Sequence, residues 1–120
     1  MFLIDTPLTT ALRRFLDVSV FRHTLITSNL ANIDTPGYRT RDLNFRQELE
    51  RAGGEFEYAL FSPAVRSVQG LNERPDGNNV NLERESLLLA QNQLSFNLAI
   101  QLLRDEFHTI SSAIHEGSAS

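Results

Sequence analysis

The feature that most constrains this chain is where its helix breakers fall. Residues 8–33 and 82–116 contain no glycine or proline, whereas residues 34–81 hold Pro36, Pro63 and Pro75 together with Gly37, Gly53, Gly54, Gly70 and Gly77. Two uninterrupted segments around a broken centre predict two long terminal helices and an irregular or β-containing middle. The predicted fold class is mainly α, with the terminal helices packing in coiled-coil fashion. The chain divides into an N-terminal helix (1–33), a turn motif with an irregular or β middle (34–81) and a C-terminal coiled-coil helix (82–120).

The N-terminal segment carries start signals. Thr6 is the predicted N-cap and Pro7 the first helical residue, where a missing N–H costs nothing. Apolar residues from Leu8 to Ile33 recur at spacings of three and four and cover a face wider than one helical partner needs.

The C-terminal segment is more regular. Leu89, Phe96, Leu103 and Ile110 stand seven residues apart, and so do Gln93, Ile100, Phe107 and Ile114. These are the d and a positions of a heptad seam, polar only at Gln93. Asn81 is the predicted N-cap, Glu83 and Glu85 suit the positive helix end, and Gly117 is the predicted stop. Leu87, Leu88, Leu94, Leu98 and Leu102 fall outside the seam. Fully burying a leucine is worth ~1.5–3 kcal/mol, so leaving these in water is wasteful and invites aggregation. A chain with two long helices has few elements of its own to cover them, which points to other subunits.

In the middle, residues 46–52 predict one or two helical turns. Residues 55–61 alternate Phe56, Tyr58 and Leu60 on one face, as in a strand, with 64–70 as its expected hairpin partner. Residues 74–79, RPDGNN, form a dense turn cluster.

Composition and motifs exclude much chemistry. There is no cysteine, so thiol catalysis, disulfides and Cys-ligated zinc are absent. The formal net charge is −4 with no basic block, which argues against nucleic acid as a partner. No apolar run reaches the ~18 residues of a membrane-spanning helix, so an integral membrane protein is not expected. A calcium loop begun at Asp76 fails at once, with Val80, Asn81 and Leu87 where ligands or glycine belong. Asp105, His108 and His115 share a helix surface but lack a further ligand element, and His23 lacks a nucleophile. No nucleophile elbow or phosphate-binding loop occurs. Neither catalysis nor a cofactor is expected.

Concentrated local logic appears only in SNLANIDTPGYRTRDLNF, residues 28–45. Asn29 and Asn32 are expected to stop the N-terminal helix, since Asn tolerates the left-handed conformation. Thr35, Pro36, Gly37 and Tyr38 fit a type II turn, with Pro36 setting φ and Gly37 supplying a positive φ. Asp34 or Thr35 can bond the turn backbone, and Tyr38, Leu43 and Phe45 offer apolar bodies for packing.

This segment resembles the signature of the bacterial flagellar axial proteins, the rod, hook and hook-associated family. The match runs through Ser28, Asn29, Ala31, Asn32, Thr35, Pro36, Gly37 and Tyr38. Thr27 stands where Ala is usual and Arg39 where Lys is usual. RTRDLNF at 39–45 and RPDGNNVNLERE at 74–85, followed by the heptad helix, resemble the proximal rod branch of that family, with Asn81 replacing the more usual Asp. The resemblance implies a structural protein, exported unfolded by the flagellar type III apparatus without a cleaved signal. It implies a periplasmic location in the basal body, assembly with itself and other rod subunits, and contact with the basal adaptor and export gate. It also implies terminal helices that order on assembly. Under this reading Leu89, Phe96, Ile100, Leu103, Phe107, Ile110 and Ile114 are the packing seam. Leu87, Leu94, Leu98 and Leu102 are a second packing face. The competing readings are another short rod component and a soluble helical adaptor or chaperone.

Overall fold

The computed structural model describes residues 6–52 and 63–119. In chain order these form α1 (Pro7–Ala31), β1 (Arg41–Asp42), α2 (Phe45–Ala52), β2 (Arg66–Ser67) and α3 (Leu82–Ala119). The molecule is elongated, with extents of 71 × 29 × 18 Å.

Helix α1 starts where its capping residues dictate. The Thr6 hydroxyl accepts from the Thr9 N–H at 3.1 Å and the Thr9 hydroxyl accepts from the Thr6 N–H at 2.8 Å, so two orphan donors are satisfied reciprocally. Pro7 occupies the first helical position. The breadth of the apolar surface on α1 is explained by its partners, since α3, α2 and β1 all pack on it. Val18 and Leu25 meet Leu43 in a buried cluster flanked by Phe21, Phe45 and Leu49. Phe15 meets Phe45 edge to face, with ring centroids 5.1 Å apart.

Helix α3 is capped by Asn81, whose side-chain oxygen accepts from the Arg84 N–H at 2.9 Å. It runs antiparallel to α1, because Asn29 of α1 bonds Glu85 of α3 while Ser19 bonds Asn92. The expected stop at Gly117 is not used, and the helix continues to Ala119. Glycine permits a left-handed terminus but does not impose one, and nothing lies within 4 Å of a Cβ placed at Gly117 to interrupt the helix.

The middle holds one short helix and, among the described residues, one strand pair. Helix α2 spans the expected turns, with the Asn44 side chain accepting from the Gln47 N–H at its start. Strand β2 pairs antiparallel with β1, Arg41 opposite Ser67 and Asp42 opposite Arg66. The expected strand at 55–61 lies outside the described residues. What draws 66–67 to β1 is visible: the Val68 N–H extends the ladder to the Thr40 carbonyl at 2.9 Å. The buried Glu48 of α2 accepts from the Ala64 N–H at 3.1 Å, anchoring the segment just before β2.

Candidate functional site

The end of α1 is closed by a loop from the far half of the chain. Asn32 is the C-cap, at φ −104°, and no non-glycine residue among those described has a positive φ. Asn29 is not a helix stop. It lies inside α1, buried, because its amide is the hinge of a wider network: it donates to the Arg41 carbonyl at 2.8 Å and to Glu85 at 3.2 Å, and accepts from the Tyr38 hydroxyl and the Arg41 N–H. The Ser28 and Tyr38 hydroxyls lie 3.4 Å apart.

The turn itself forms as its residues require. Gly37 has φ +76° and the Tyr38 N–H donates to the Thr35 carbonyl at 3.2 Å. Asn32 bonds the Ser28 carbonyl and accepts from the Thr35 hydroxyl, while Ala31, Asp34 and Pro36 are exposed.

Helix α1 has no basic residue in its last turn, so its terminal carbonyls lack a cation from their own helix. The loop at 73–81 supplies donors to the C-cap carbonyl and to the carbonyls of the turn beyond it. The Asn78 amide, fully buried, donates to the carbonyls of Asn32, Ile33 and Thr35 at 2.9, 3.0 and 2.8 Å. The Arg74 guanidinium bonds the Ile33 carbonyl and, at 3.0 Å, that of Val80. The Gly37 N–H donates to the Asp76 carbonyl at 2.8 Å and the Thr40 N–H to the Asn79 side chain at 2.6 Å. A Cβ at Gly77 would meet the Gly37 Cα at 3.4 Å, so the two turns touch backbone to backbone.

A charged network continues this contact toward α3. Asp42 accepts two bonds from Arg22, at 3.2 and 3.0 Å, and one from Arg84 at 3.2 Å. Arg84 also bonds the fully buried Glu85 at 2.6 Å. Two carboxylates and two guanidiniums thus balance. Further along, Asn92 donates to the Ser19 carbonyl at 3.0 Å. Such a polar pair inside a helix seam selects one register over its slipped alternatives.

The face of α3 turned to α1 is rotated from the heptad expectation. Its most buried residues are Glu85, Asn92 and Ala99, one position before the expected a residues, while Gln93 is exposed. Leu89, Phe96, Ile100, Leu103, Phe107 and Ile110 are half-buried and Ile114 is 57% exposed. Leu88 is half-buried, whereas Leu87, Leu94, Leu98 and Leu102 expose 59%, 72%, 59% and 47% of their surface.

Asp105, His108 and His115 gather no ligand set. Asp105 accepts from the Gln101 amide instead, and no group of three His, Asp or Glu residues among those described is placed to hold a metal ion. No helix of the described residues is long and apolar enough to cross a membrane. Of the network residues, Asn78, Asn79 and Arg84 stand out in the sequence only as members of the 74–85 turn and family segment, without this role, and Arg22 carries no local signal. The NN doublet inside a glycine turn was the available signal for the clamp.

Comparison with known proteins supplies the context. A family model described as flagella basal body rod protein matches residues 25–39, the end of α1 and the turn. The flagellar basal body rod protein FlgB of Cereibacter sphaeroides is 34% identical over 78% of this chain and 82% of its own length. Those of Salmonella typhimurium and Bacillus subtilis are 28% and 26% identical, over 86% and 78% of this chain and 89% and 81% of their own lengths.

Proposed function

Because this chain belongs to the FlgB family of flagellar basal body rod proteins and is a structural subunit rather than an enzyme, we propose that it builds the proximal rod by burying the outer leucine face of α3 against neighbouring subunits. The observation that carries this is the exposure of Leu87, Leu94, Leu98 and Leu102, between 47% and 72%, on a helix that is otherwise part of a packed pair. At ~25 cal/mol per Å² of apolar surface, finishing the burial of each leucine contributes about 1–2 kcal/mol to assembly.

The geometry suits a mechanical role. Helix α3, with 38 residues, is a strut roughly 57 Å long. The polar network at its start ties it to α1 and to the family turn, so a load on one helix passes to the other through charged hydrogen bonds rather than through a flexible linker. In this reading the subunit transmits torque along the rod. The family resemblance further supports the basal adaptor and the type III export gate as partners, with export preceding assembly and the terminal helices ordering fully once neighbours cover them.

The test replaces Leu94 or Leu98 by Asp in motile cells and follows swimming, secretion of the subunit and the fold of the purified chain. Lost swimming with secretion and helical content retained is the expected result. Normal swimming of both variants would overturn the assignment of this face.

A further inference from the structure

Asp76–Gly77 is the one place in the sequence where an Asp or Asn precedes a glycine. That pair carries a specific chemistry. The Gly77 nitrogen can attack the side-chain carboxyl carbon of Asp76, because glycine has no side chain to crowd the approach. The new N–C bond closes a succinimide ring, and the amide proton leaves with the carboxyl hydroxyl as one water. Water then reopens the ring at either carbonyl. Opening at the former backbone carbonyl leaves the chain running through the side chain, as isoaspartate. Opening at the other restores aspartate. One water is lost and one regained, and nothing is oxidised or reduced.

The fold holds this peptide unit at both ends. Its carbonyl, from Asp76, accepts from the Gly37 N–H at 2.8 Å, and its N–H, from Gly77, donates to the Arg74 carbonyl at 2.8 Å. The Asp76 Oδ1 accepts from the Asn78 N–H at 2.9 Å. Ring closure removes the Gly77 proton outright and so destroys the bond to Arg74. A peptide unit is planar, so turning its nitrogen toward the carboxyl also turns the carbonyl that Gly37 holds. The reaction therefore runs from an opened loop, at the frequency with which the loop opens. Asp76 itself is exposed, so water reaches it, whereas Asn78, Asn79 and Val80 directly after it are buried.

We propose that Asp76–Gly77 is an isoaspartate-forming site, protected while the Asn78 loop is seated on the end of α1 and reactive when it is not. The product does not reseat. Isoaspartate adds one backbone carbon between positions 76 and 77 and turns the carbonyl that receives Gly37 into a free carboxylate. The bond from Gly77 to Arg74 closes a tight turn with Pro75 at its second position, and the Arg74 N–H returns to the Asn78 carbonyl at 2.9 Å. That closure has no room for an extra atom. Asn78, two residues past Asp76, then loses its place beside the carbonyls of Asn32, Ile33 and Thr35. A subunit kept unfolded ages at this bond, and a folded one is spared. The inference goes beyond the leucine-face reading and does not depend on it.

Trypsin releases the site within one peptide, residues 67–84, because Pro75 protects the bond after Arg74. Isolated basal bodies holding the subunit, and the same subunit in guanidinium chloride, are incubated side by side at neutral pH. Chromatography separates the two isomers of the peptide, which share a mass, and an isoaspartyl methyltransferase labels the isoaspartyl form. Conversion at least about tenfold faster in the denatured chain than in basal bodies is the expected result. Equal rates would overturn the proposal, and so would a denatured chain that forms no isoaspartate. The variant Asp76→Glu, whose ring would be larger and slower to close, is expected to lose the label in this peptide, and a label retained there would place the chemistry at another residue. Reseating is read by deuterium uptake after the denaturant is removed from the aged chain. Faster uptake around position 76 in the isoaspartyl form than in the aspartyl form is expected, and equal uptake would show that the isomer reseats.

Discussion

The side-chain amide of Asn78 donates to the carbonyl of Ile33 at 3.0 Å, although 45 residues separate them. The bond joins the end of the first helix to the loop that launches the third. With the companion bonds to Asn32 and Thr35, it makes one buried amide the cap of a helix to which it does not belong. The family turn is consequently held by residues far outside the motif.

Replacing that amide separates donor from shape. Asn78→Ala leaves buried carbonyls without a partner and is expected to cost about 2–4 kcal/mol, at roughly 1–3 kcal/mol per unsatisfied buried group. Asn78→Asp keeps the shape but turns an acceptor toward three carbonyls, and is expected to cost more than the alanine. Urea unfolding of both variants at neutral pH measures the order. An aspartate variant as stable as the wild type would show that the amide is not the donor.

The two turn glycines are expected to differ. Both have positive φ, +76° at Gly37 and +87° at Gly77. Gly37→Ala meets only the backbone penalty of about 1 kcal/mol, because nothing lies within 4 Å of its Cβ. Gly77→Ala adds a contact with the Gly37 backbone at 3.4 Å and is expected to be the more damaging. Thermal melts of the two variants test the ranking, and equal melting temperatures would contradict the close approach of the turns.

Glu85 is expected to be costly to remove and cheaper to neutralise. Glu85→Ala strips partners from Asn29 and Arg84, and breaking a buried charged pair costs about 3–5 kcal/mol. Arg84 keeps some solvent contact, with 27% of its side chain exposed, so the lower end is expected here. Glu85→Gln retains an oxygen for one of the two donors and is expected to lose less. Chemical denaturation of both variants decides, and a glutamine variant less stable than the alanine would contradict the network.

Much of this organisation is legible one segment at a time. Thr6 with Pro7 and Asn81 mark the helix starts, and Pro36 with Gly37 marks the turn, because caps and turns are set by residues within a few positions of one another. The exposed leucines outside the heptad seam already require cover that two helices do not provide. Legibility fails where partners are distant. Residues 66–67 pair with β1 because Thr40 and Glu48 offer acceptors nearby. Gly117 shows that a stop signal is a permission and not a command.

The sequence alone settled the helical class, the positions of its breaks, the family turn and the excess of apolar surface on α3. All of these follow from local sterics and from the 3.6-residue period. The packed chain settled which polar groups are buried against which. It placed Asn78 on the end of α1, Asn29 on Glu85 and Asn92 on Ser19. It also turned α3 so that Glu85, Asn92 and Ala99 rather than Gln93 face inward. The reason is physical. A hydrophobic stripe specifies that a face is buried, but it is tolerant of rotation and sliding. A buried amide or carboxylate is stable only where its hydrogen bonds are met, and that condition holds at one register.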